Sequence, residues 1–486
     1  MSISQALSSA GSGLSAASRR ASVVSSNISN ALTPGYARRE VLTSERVVAG
    51  QGAGVQVDGV RRVQDAALTG SRRASEGESV RDEAIATIQN QISSSLGGPE
   101  DAFSFFSSFS NLESAFSTLR EQPESSTLQE NTLVAAEQIV NDFNRLSTEA
   151  STLRLDADRE IARQVETVND ALRSIDSLNT EIRTASSSGR DTAALQDERQ
   201  RLIDQVSSII PVREIAVDGD EVNLITQEGV FLLSGSPSEV TFTPSPAIAA
   251  SDTYDNGGLS GLLVEGVDIT PFSTSPLSPN GGTLAAQFEI RDRIIPEYTQ
   301  QLDGLAEDLI RRFSDPANDP SLATGAVGLF TDNGDPVAAD PAPGLAARIS
   351  VNAAVDPSQG GLLTRFRDGV GATAERAAAD STIVDAMLSG IREPRSIDAA
   401  GFSGAMSLVD AAADFSSIRA SNALNAESRA SVSGARTAGL VEAEQDLSGV
   451  DTDFELQELL RIEQAYQANA RVIQVVDGLL SRLLEI

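Results

Sequence analysis

The residues able to do chemistry in this chain are almost all carboxylates. Its 486 residues hold 69 Asp and Glu against 37 basic residues, every one of them Arg, with no His, no Cys and no Lys. Without imidazole or thiol there is no His general base, no thiolate nucleophile, no disulfide and none of the usual Zn, Cu or haem ligands. Carboxylate pairs remain, and such pairs hydrolyse glycosidic bonds in other proteins. No spacing here singles one out. A deep polar cleft holding a carboxylate of raised pKa would mark such a site. Asp332-Asn333-Gly334-Asp335 has the start of a Ca²⁺ loop but lacks its remaining ligands and bidentate Glu, and reads as a solvated turn. Asp252-Thr253-Tyr254-Asp255-Asn256-Gly257-Gly258 likewise reads as a loop. No Gly-rich phosphate loop is present. The chain is expected to be no enzyme, with no catalytic residue, no cofactor and no metal.

The formal charge of −32 repels phosphate backbones and anionic lipid surfaces. No nucleic acid is expected as a partner. No run of about twenty apolar residues suggests membrane insertion. Met1 to Arg20 lacks the charged and apolar regions of a Sec-type signal peptide, so export would need another route.

What the sequence does offer is association chemistry at both ends. Ile3, Leu7, Ala10, Leu14, Ala17, Ala21, Val24, Ile28 and Ala31 alternate spacings of four and three, an a/d seam held over about four heptads. Its small residues allow close helix approach but bury little area each. Thr33-Pro34-Gly35-Tyr36 ends this helix, because the residue before Pro is pushed out of the helical region and Pro-Gly suits a type II turn. At the other end Leu459, Ile462, Tyr466, Asn469, Ile473, Val476, Leu480 and Leu483 keep heptad spacing. Tyr466 is expected in the core of that seam. Asn469 is a lone polar residue of the kind that fixes register. Thr452 with Glu455 predicts a capping box. Leu456, Leu460 and Leu484 lie beside the seam. A thirty-residue helix of this kind roughly breaks even, with about 1.5–3 kcal/mol per buried Leu or Ile against about 1–2 kcal/mol per ordered residue. The ends are therefore expected to need sister molecules.

Between the ends, residues 38–63 read as an extended hairpin around Gly50, Gly52 and Gly54. Helix returns at about 64, breaks at Gly97-Gly98-Pro99 and runs on from about 126 to 185. The four-four-four spacing from Leu153 to Val165 in that helix reads as a stutter. A shorter helix ends at Pro211. Residues 211–284 lose helical periodicity and gain Pro and Gly. Helix resumes near Thr283, residues 315–361 are irregular, and helix is expected again from about Ala372. With aromatics at 4%, cores built mainly of Ala, Leu, Ile and Val are expected.

The fold expected is mainly α with a smaller β domain, in nested discontinuous layers. Residues 1–63 and 446–486 form a terminal coiled-coil polymerisation domain with its hairpin. Residues 64–210 and 283–445 form a long helical bundle, and 211–282 an outer β domain.

Asn27-Ile28-Ser29-Asn30-Ala31-Leu32-Thr33-Pro34-Gly35-Tyr36 resembles the N-terminal motif of rod, hook and hook-associated proteins of the bacterial flagellum. Ser448-Gly449-Val450-Asp451 through Leu459-Leu460, then Gln464 to Ile473, resembles their C-terminal signature. Leu195-Gln196-Asp197-Glu198-Arg199-Gln200-Arg201-Leu202 is similar to a helical segment of the hook-associated protein 1 family. Gly281-Gly282-Thr283-Leu284 with Arg291-Asp292 and Ile295-Pro296 looks like that family's return into its helical domain. The resemblance implies a structural subunit polymerising at the hook–filament junction. Another axial protein (hook, distal rod or second junction protein) is the alternative. It also implies partners: copies of itself in a ring, the hook protein, the second hook–filament junction protein, and an export chaperone on the C-terminal helix. The implied location is the extracellular flagellum, reached through the flagellar type III apparatus without a cleaved signal. The residues expected at subunit contacts are Leu7, Leu14, Val24, Ile28, Asn30, Pro34, Gly35 and Tyr36, with Leu459 to Leu483 of the C-terminal seam.

Overall fold

A computed structural model of the chain describes residues 3–33, 35–48, 51–98 and 101–484. Pro34, Gly50 and Pro99 lie outside the described residues, as do the side chains of Leu483 and Leu484.

The N-terminal heptad forms helix α1, Ile3–Ser29. After it the chain turns through Gly35, at φ +77°, into an antiparallel hairpin of β1, Arg39–Val48, and β2, Gln51–Arg62. Two register irregularities, after Leu42 and after Glu45, bend the hairpin. Asp65 then caps α2, Ala66–Ser95, by accepting from the Ala67 and Leu68 N–H groups. Ser104 caps α3, Phe105–Glu121, and Ser125 caps the 62-residue α4, Ser126–Ser187. Helix α5, Ala193–Ile209, runs back beside α4 and stops before Pro211.

The segment after Pro211 holds a three-stranded sheet of β3, Val212–Val217, β4, Glu221–Thr226, and β5, Phe231–Leu233. A second one joins β6, Val240–Thr241, β7, Leu263–Val264, and β8, Val267–Asp268. Much of the rest is turn, as the Ser, Pro and Gly content dictates. This segment packs directly on the helices. Val222, Leu224, Leu232, Leu262 and Ile269 share a core with Ile161, Val168 and Ile175 of α4 and Ile203 and Val206 of α5.

The chain re-enters the helices at Gly282, which has φ +82° and sits so close to the Ile209 carbonyl that a Cβ would lie 2.1 Å from its oxygen. Helix α6, Gly282–Glu289, leads through a π-helical turn, Ile290–Ile294, into α7, Ile295–Ser314. That turn carries Arg291, fully buried, whose guanidinium pairs with the equally buried Asp158 at 2.7 Å and lies over the Phe288 ring.

The stretch expected to be irregular is mostly turn and coil, but holds strands β9, Phe330–Asp332, and β10, Ile349–Val351, and the short helix α8, Leu345–Arg348; α9, Arg365–Asp368, follows it. Helix does not begin at Ala372. Residues 372–381 are turn and coil, with the Arg376 N–H and guanidinium bound to Asp368, and α10 starts at Thr382 and ends at Arg392. After two short strands, Arg395–Ser396 and Ala405–Met406, Ser407 caps α11, Leu408–Ser448, which lies along α2. The last helix is α12, Thr452–Leu484.

Aromatics are few but concentrated. Phe105, Phe109, Phe143 and Phe415 meet edge-to-face at the centre of the main core, built by α3, α4, α7, α10 and α11. The molecule is mainly helical with small sheets, and its first and last helices pair with each other.

Candidate assembly surface

Two contacts fix how α1 and α12 pair. The Asn27 amide donates to a Glu455 carboxylate oxygen at 3.0 Å, and Gly13 faces the Asn469 side chain. Gly13 to Asn27 and Asn469 to Glu455 are each fourteen residues, in opposite senses, so the pair is antiparallel. At Gly13 a Cβ would lie 2.8 Å from the Asn469 amide nitrogen. The small residue beside one seam therefore makes room for the polar residue in the other.

The cluster holding this pair together is small. Ala17, Val24 and Ile462 are buried, with Ala21, Ile28 and Leu459 packed against them. Val476 is also buried, while Leu14, Asn469 and Ile473 are half-covered. Three expected seam residues lie open: Leu7 is 40% exposed, Tyr466 45% and Leu480 38%. Tyr466 is thus not a core residue of the single chain. Beside the seam, Leu456, Leu460 and Val475 are at least half exposed, and Val472 and Leu479 nearly so. A helix with apolar residues exposed on several faces is incompletely packed.

The elbow after α1 is built around Asn27, only 1% exposed. Its side-chain amide pairs with the Arg39 backbone like a strand neighbour, accepting from the N–H and donating to the carbonyl, both at 3.0 Å. The Tyr36 hydroxyl donates to the same Asn27 oxygen at 2.9 Å. Burial pushes the Tyr36 phenol above its ordinary pKa, against the pull of the Arg39 guanidinium stacked 4.7 Å from its ring centre. Burial likewise raises Glu455, opposed by the Asn27 hydrogen bond and by Arg38. The Arg38 N–H donates to the Ser448 carbonyl, tying the elbow to the end of α11.

Asn30 does something humbler. Its amide donates to the Ser26 carbonyl one turn back, finishing its own helix. The expected capping box at Thr452 is also absent. Asp451 caps α12, accepting from Asp453 and Phe454, and Glu455 reaches Asn27 instead. Asn27 was legible only as a motif letter, and Glu455 only as half of a capping box. The available signal was a helix-averse Asn one position off the heptad seam.

Helix α5 grips the elbow from outside. Asp197 takes Arg39 on one carboxylate oxygen and Arg62 on the other, both at 2.7 Å, so one acid holds both hairpin strands. Gly35 lies against Arg201, where a Cβ would come 2.7 Å from Cγ. Arg199, two residues on, is buried and donates to Asn179 and the Asp220 carbonyl, and Leu202 packs on the α4–α5 core. At the far end of the hairpin, Gly54 at φ +106° touches α1, and the Val55 N–H donates to Ser12 Oγ at 3.1 Å.

Elsewhere, an open cleft of about 800 Å³ contains Asp303, whose carboxylate burial raises. Its two oxygens accept from the Gly344 and Ala346 N–H groups, at 2.6 and 2.8 Å, so it is committed to holding that loop. Asp332 and Asp335 close a tight turn through left-handed Asn333 and Gly334, with Asp332 paired to Arg348. Among the described residues no group of three or more metal-binding side chains converges, and no helix is long and apolar enough to cross a membrane.

Three family models match this chain. The flagellar hook-associated protein FlgK helical domain matches residues 89–328. The flagella basal body rod protein matches residues 7–36, and the flagellar basal body rod FlgEFG protein C-terminal matches 446–486. The two terminal matches fall on α1 with its elbow and on α12, and the helical match lies between them. In this order the three matches resemble the flagellar hook-associated protein 1 family. It is 31% identical to flagellar hook-associated protein 1 of Salmonella typhimurium over 49% of this chain and 44% of that protein. It is 30% identical to the Escherichia coli K12 protein over 50% and 46%. The chain thus spans about half the length of these curated relatives. The Bacillus subtilis protein of the same name is 22% identical across 97% of this chain and 96% of its own length. The solved flagellar hook junction protein FlgK from Burkholderia pseudomallei aligns with a TM-score of 0.43 at 17% identity, over 55% of this chain and 46% of that one.

Proposed function

We propose that this chain is a structural, non-catalytic subunit that polymerises at the hook–filament junction of the bacterial flagellum. The observation that carries the reading is the incompletely covered terminal pair. Residues 428 apart are brought together around a cluster of only Ala17, Val24 and Ile462, while large apolar side chains along α12 stay open. Those side chains are suited to packing on sister copies in a ring. In this reading residues 1–63 and 446–486 form the polymerising unit, 64–210 with 283–445 the helical body, and 211–282 its outer β part. The contacts are carried by Leu7, Leu14, Val24 and Ile28 on α1 and by Leu459, Ile462, Tyr466, Asn469, Ile473, Val476, Leu480 and Leu483 on α12. Asn30, Pro34, Gly35 and Tyr36 join these contacts between copies.

The ring sits between the hook protein and the second junction protein. The subunit reaches the cell exterior through the flagellar type III apparatus without a cleaved signal. Before export, a chaperone covers α12, since an open apolar helix in an unassembled subunit is an aggregation hazard.

Electron microscopy of cells lacking the gene tests the reading. Hooks without filaments are expected, with filaments restored by the full chain and not by one lacking residues 453–486. The terminal models also match rod proteins, which favours a second reading as a rod or hook subunit. Cells without hooks would support that reading instead.

A further inference from the structure

Helix α4 seals strand edges with side-chain amides. The Asn179 amide donates to the Val222 carbonyl at 2.9 Å and accepts from the Val222 N–H at 3.3 Å. Asn169 does the same for Val240, at 2.8 and 3.0 Å. Each amide stands where a further strand would pair, on β4 and on β6. Unpaired strand edges recruit other chains, and folds keep them silent by covering them.

Strand β3 has no such seal. It ends the β3–β4–β5 sheet. Asn179 takes both backbone groups of Val222 on the side of β4 away from β3. Backbone groups alternate in direction along a strand, so β4 meets β3 through Glu221, Asn223 and Ile225. Their partners in register are Val217, Ile215 and Arg213. The N–H and C=O groups of Glu214 and Ala216 therefore point outward. Among the described residues no hydrogen bond reaches these groups, and Glu214 to Val217 are exposed.

The surroundings of this edge say what fits it. Ile215, Val217 and Phe231 are 40–43% exposed, on the face opposite buried Val222 and Leu224. Charge nearby is almost all of one sign. Residues 211–282 hold ten acidic residues against Arg213 alone, and Asp218 and Asp220 stand exposed at the end of β3. Such a rim attracts a cationic segment and repels another copy of this acidic chain.

We propose that β3 is a docking edge for an extended segment of another protein, apolar on one face and bearing Arg or Lys, which adds to the sheet as a further strand. Backbone pairing with Glu214 and Ala216 supplies the affinity. Ile215 and Val217 supply apolar contact, and the carboxylates select basic residues. The proposal goes beyond assembly through α1 and α12 and stands or falls separately from it.

Fluorescence anisotropy on the full chain tests it with a labelled short peptide of alternating Val and Arg. Two further peptides accompany it. One has every peptide nitrogen methylated, which keeps charge and side chains but removes the donors. The other alternates Val and Glu. On the protein side, Ala216→Pro deletes an outward N–H and leaves the ladder to β4 intact, since Pro is tolerated where a strand's N–H faces solvent. That variant should keep the wild-type circular dichroism and melting curve. The expected result is binding of the Val-Arg peptide to the wild type. Methylation, reversal of peptide charge, and Ala216→Pro each weaken it roughly tenfold or more. The methylated peptide decides the matter even if the variant fails to fold. Equal binding of the methylated peptide, or unchanged binding by a folded Ala216→Pro chain, overturns the proposal in favour of charge attraction alone. No binding of the Val-Arg peptide overturns it outright. Self-association of the wild type that Ala216→Pro abolishes overturns it in favour of a second copy.

Discussion

Asn27 and Glu455 meet side chain to side chain at 3.0 Å across 428 residues of sequence, and both are nearly inaccessible. The same Asn27 side chain holds the Arg39 backbone and the Tyr36 hydroxyl. One amide thus joins the first helix, the elbow, the hairpin and the last helix. Replacing Asn27 with Ala leaves a buried carboxylate and a backbone pair without their partner, at a cost of about 1–3 kcal/mol. Faster amide exchange in both α1 and α12 is the expected readout, with the helical body unchanged.

Glu455 gives that joint a pH dependence of definite sign. Its folded pKa lies above the ordinary 4.5 because it is buried. The folded chain therefore keeps this proton to higher pH than the unfolded chain. The associated stability is fully present below the unfolded value and is lost as pH rises through the folded one. Asn27 and Arg38 oppose the shift, and Glu458 and Glu40 add to it. Glu455→Gln keeps an acceptor for Asn27 and removes the charge. Its terminal pair should be firmer than wild type at neutral pH, and the difference should vanish in mild acid, as read by the exchange rates of α12 amides.

Gly54 is the hairpin's seat on α1. With φ +106° and a virtual Cβ 2.0 Å from Ser12 Oγ, it has no room for Ala. Gly54→Ala should lift the hairpin tip from α1 at a cost of about 1–3 kcal/mol. Proteolysis confined to residues near 47–57 would rise, with the melting of the helical body unaltered.

Asp197 fastens the rod to the body through Arg39 and Arg62, all three largely covered. Asp197→Asn keeps the shape and leaves two guanidinium groups facing a neutral amide. Roughly 3 kcal/mol of docking should be lost, as for other covered ion pairs that lose one member. Spin labels on α1 and α5 would show a broadened distance distribution where the wild type gives a narrow one.

The heptads at both ends were legible because period 3.5 survives in any context. Their pairing with each other was legible too, but how far each stripe is covered was not, since periodicity reports a greasy face and not what covers it. That is why Tyr466 reads as core and stands open. The capping box failed through competition. Asp451 serves the first N–H groups, and Glu455 is drawn to Asn27 across the interface. The Ala-rich stretch after Ala372 has the composition of a helix, but hydrogen bonds from Arg376 to Asp368 hold it irregular. The π-helical turn at Ile290–Ile294 left no mark in the sequence. It is set by Arg291 reaching Asp158, 133 residues earlier. The elbow motif was plain as letters, but it was Asn27 rather than Asn30 that joined the elements, because only Asn27 faces inward.

The central claim is that the chain's two end helices remain only partly covered until sister copies pack against them. Amide hydrogen exchange on the isolated chain and on its assembled form tests this most directly. Low protection across residues 3–30 and 453–484 in the isolated chain, rising sharply on assembly, is the expected result. Strong protection of both segments in a single copy, unchanged on assembly, would contradict the account.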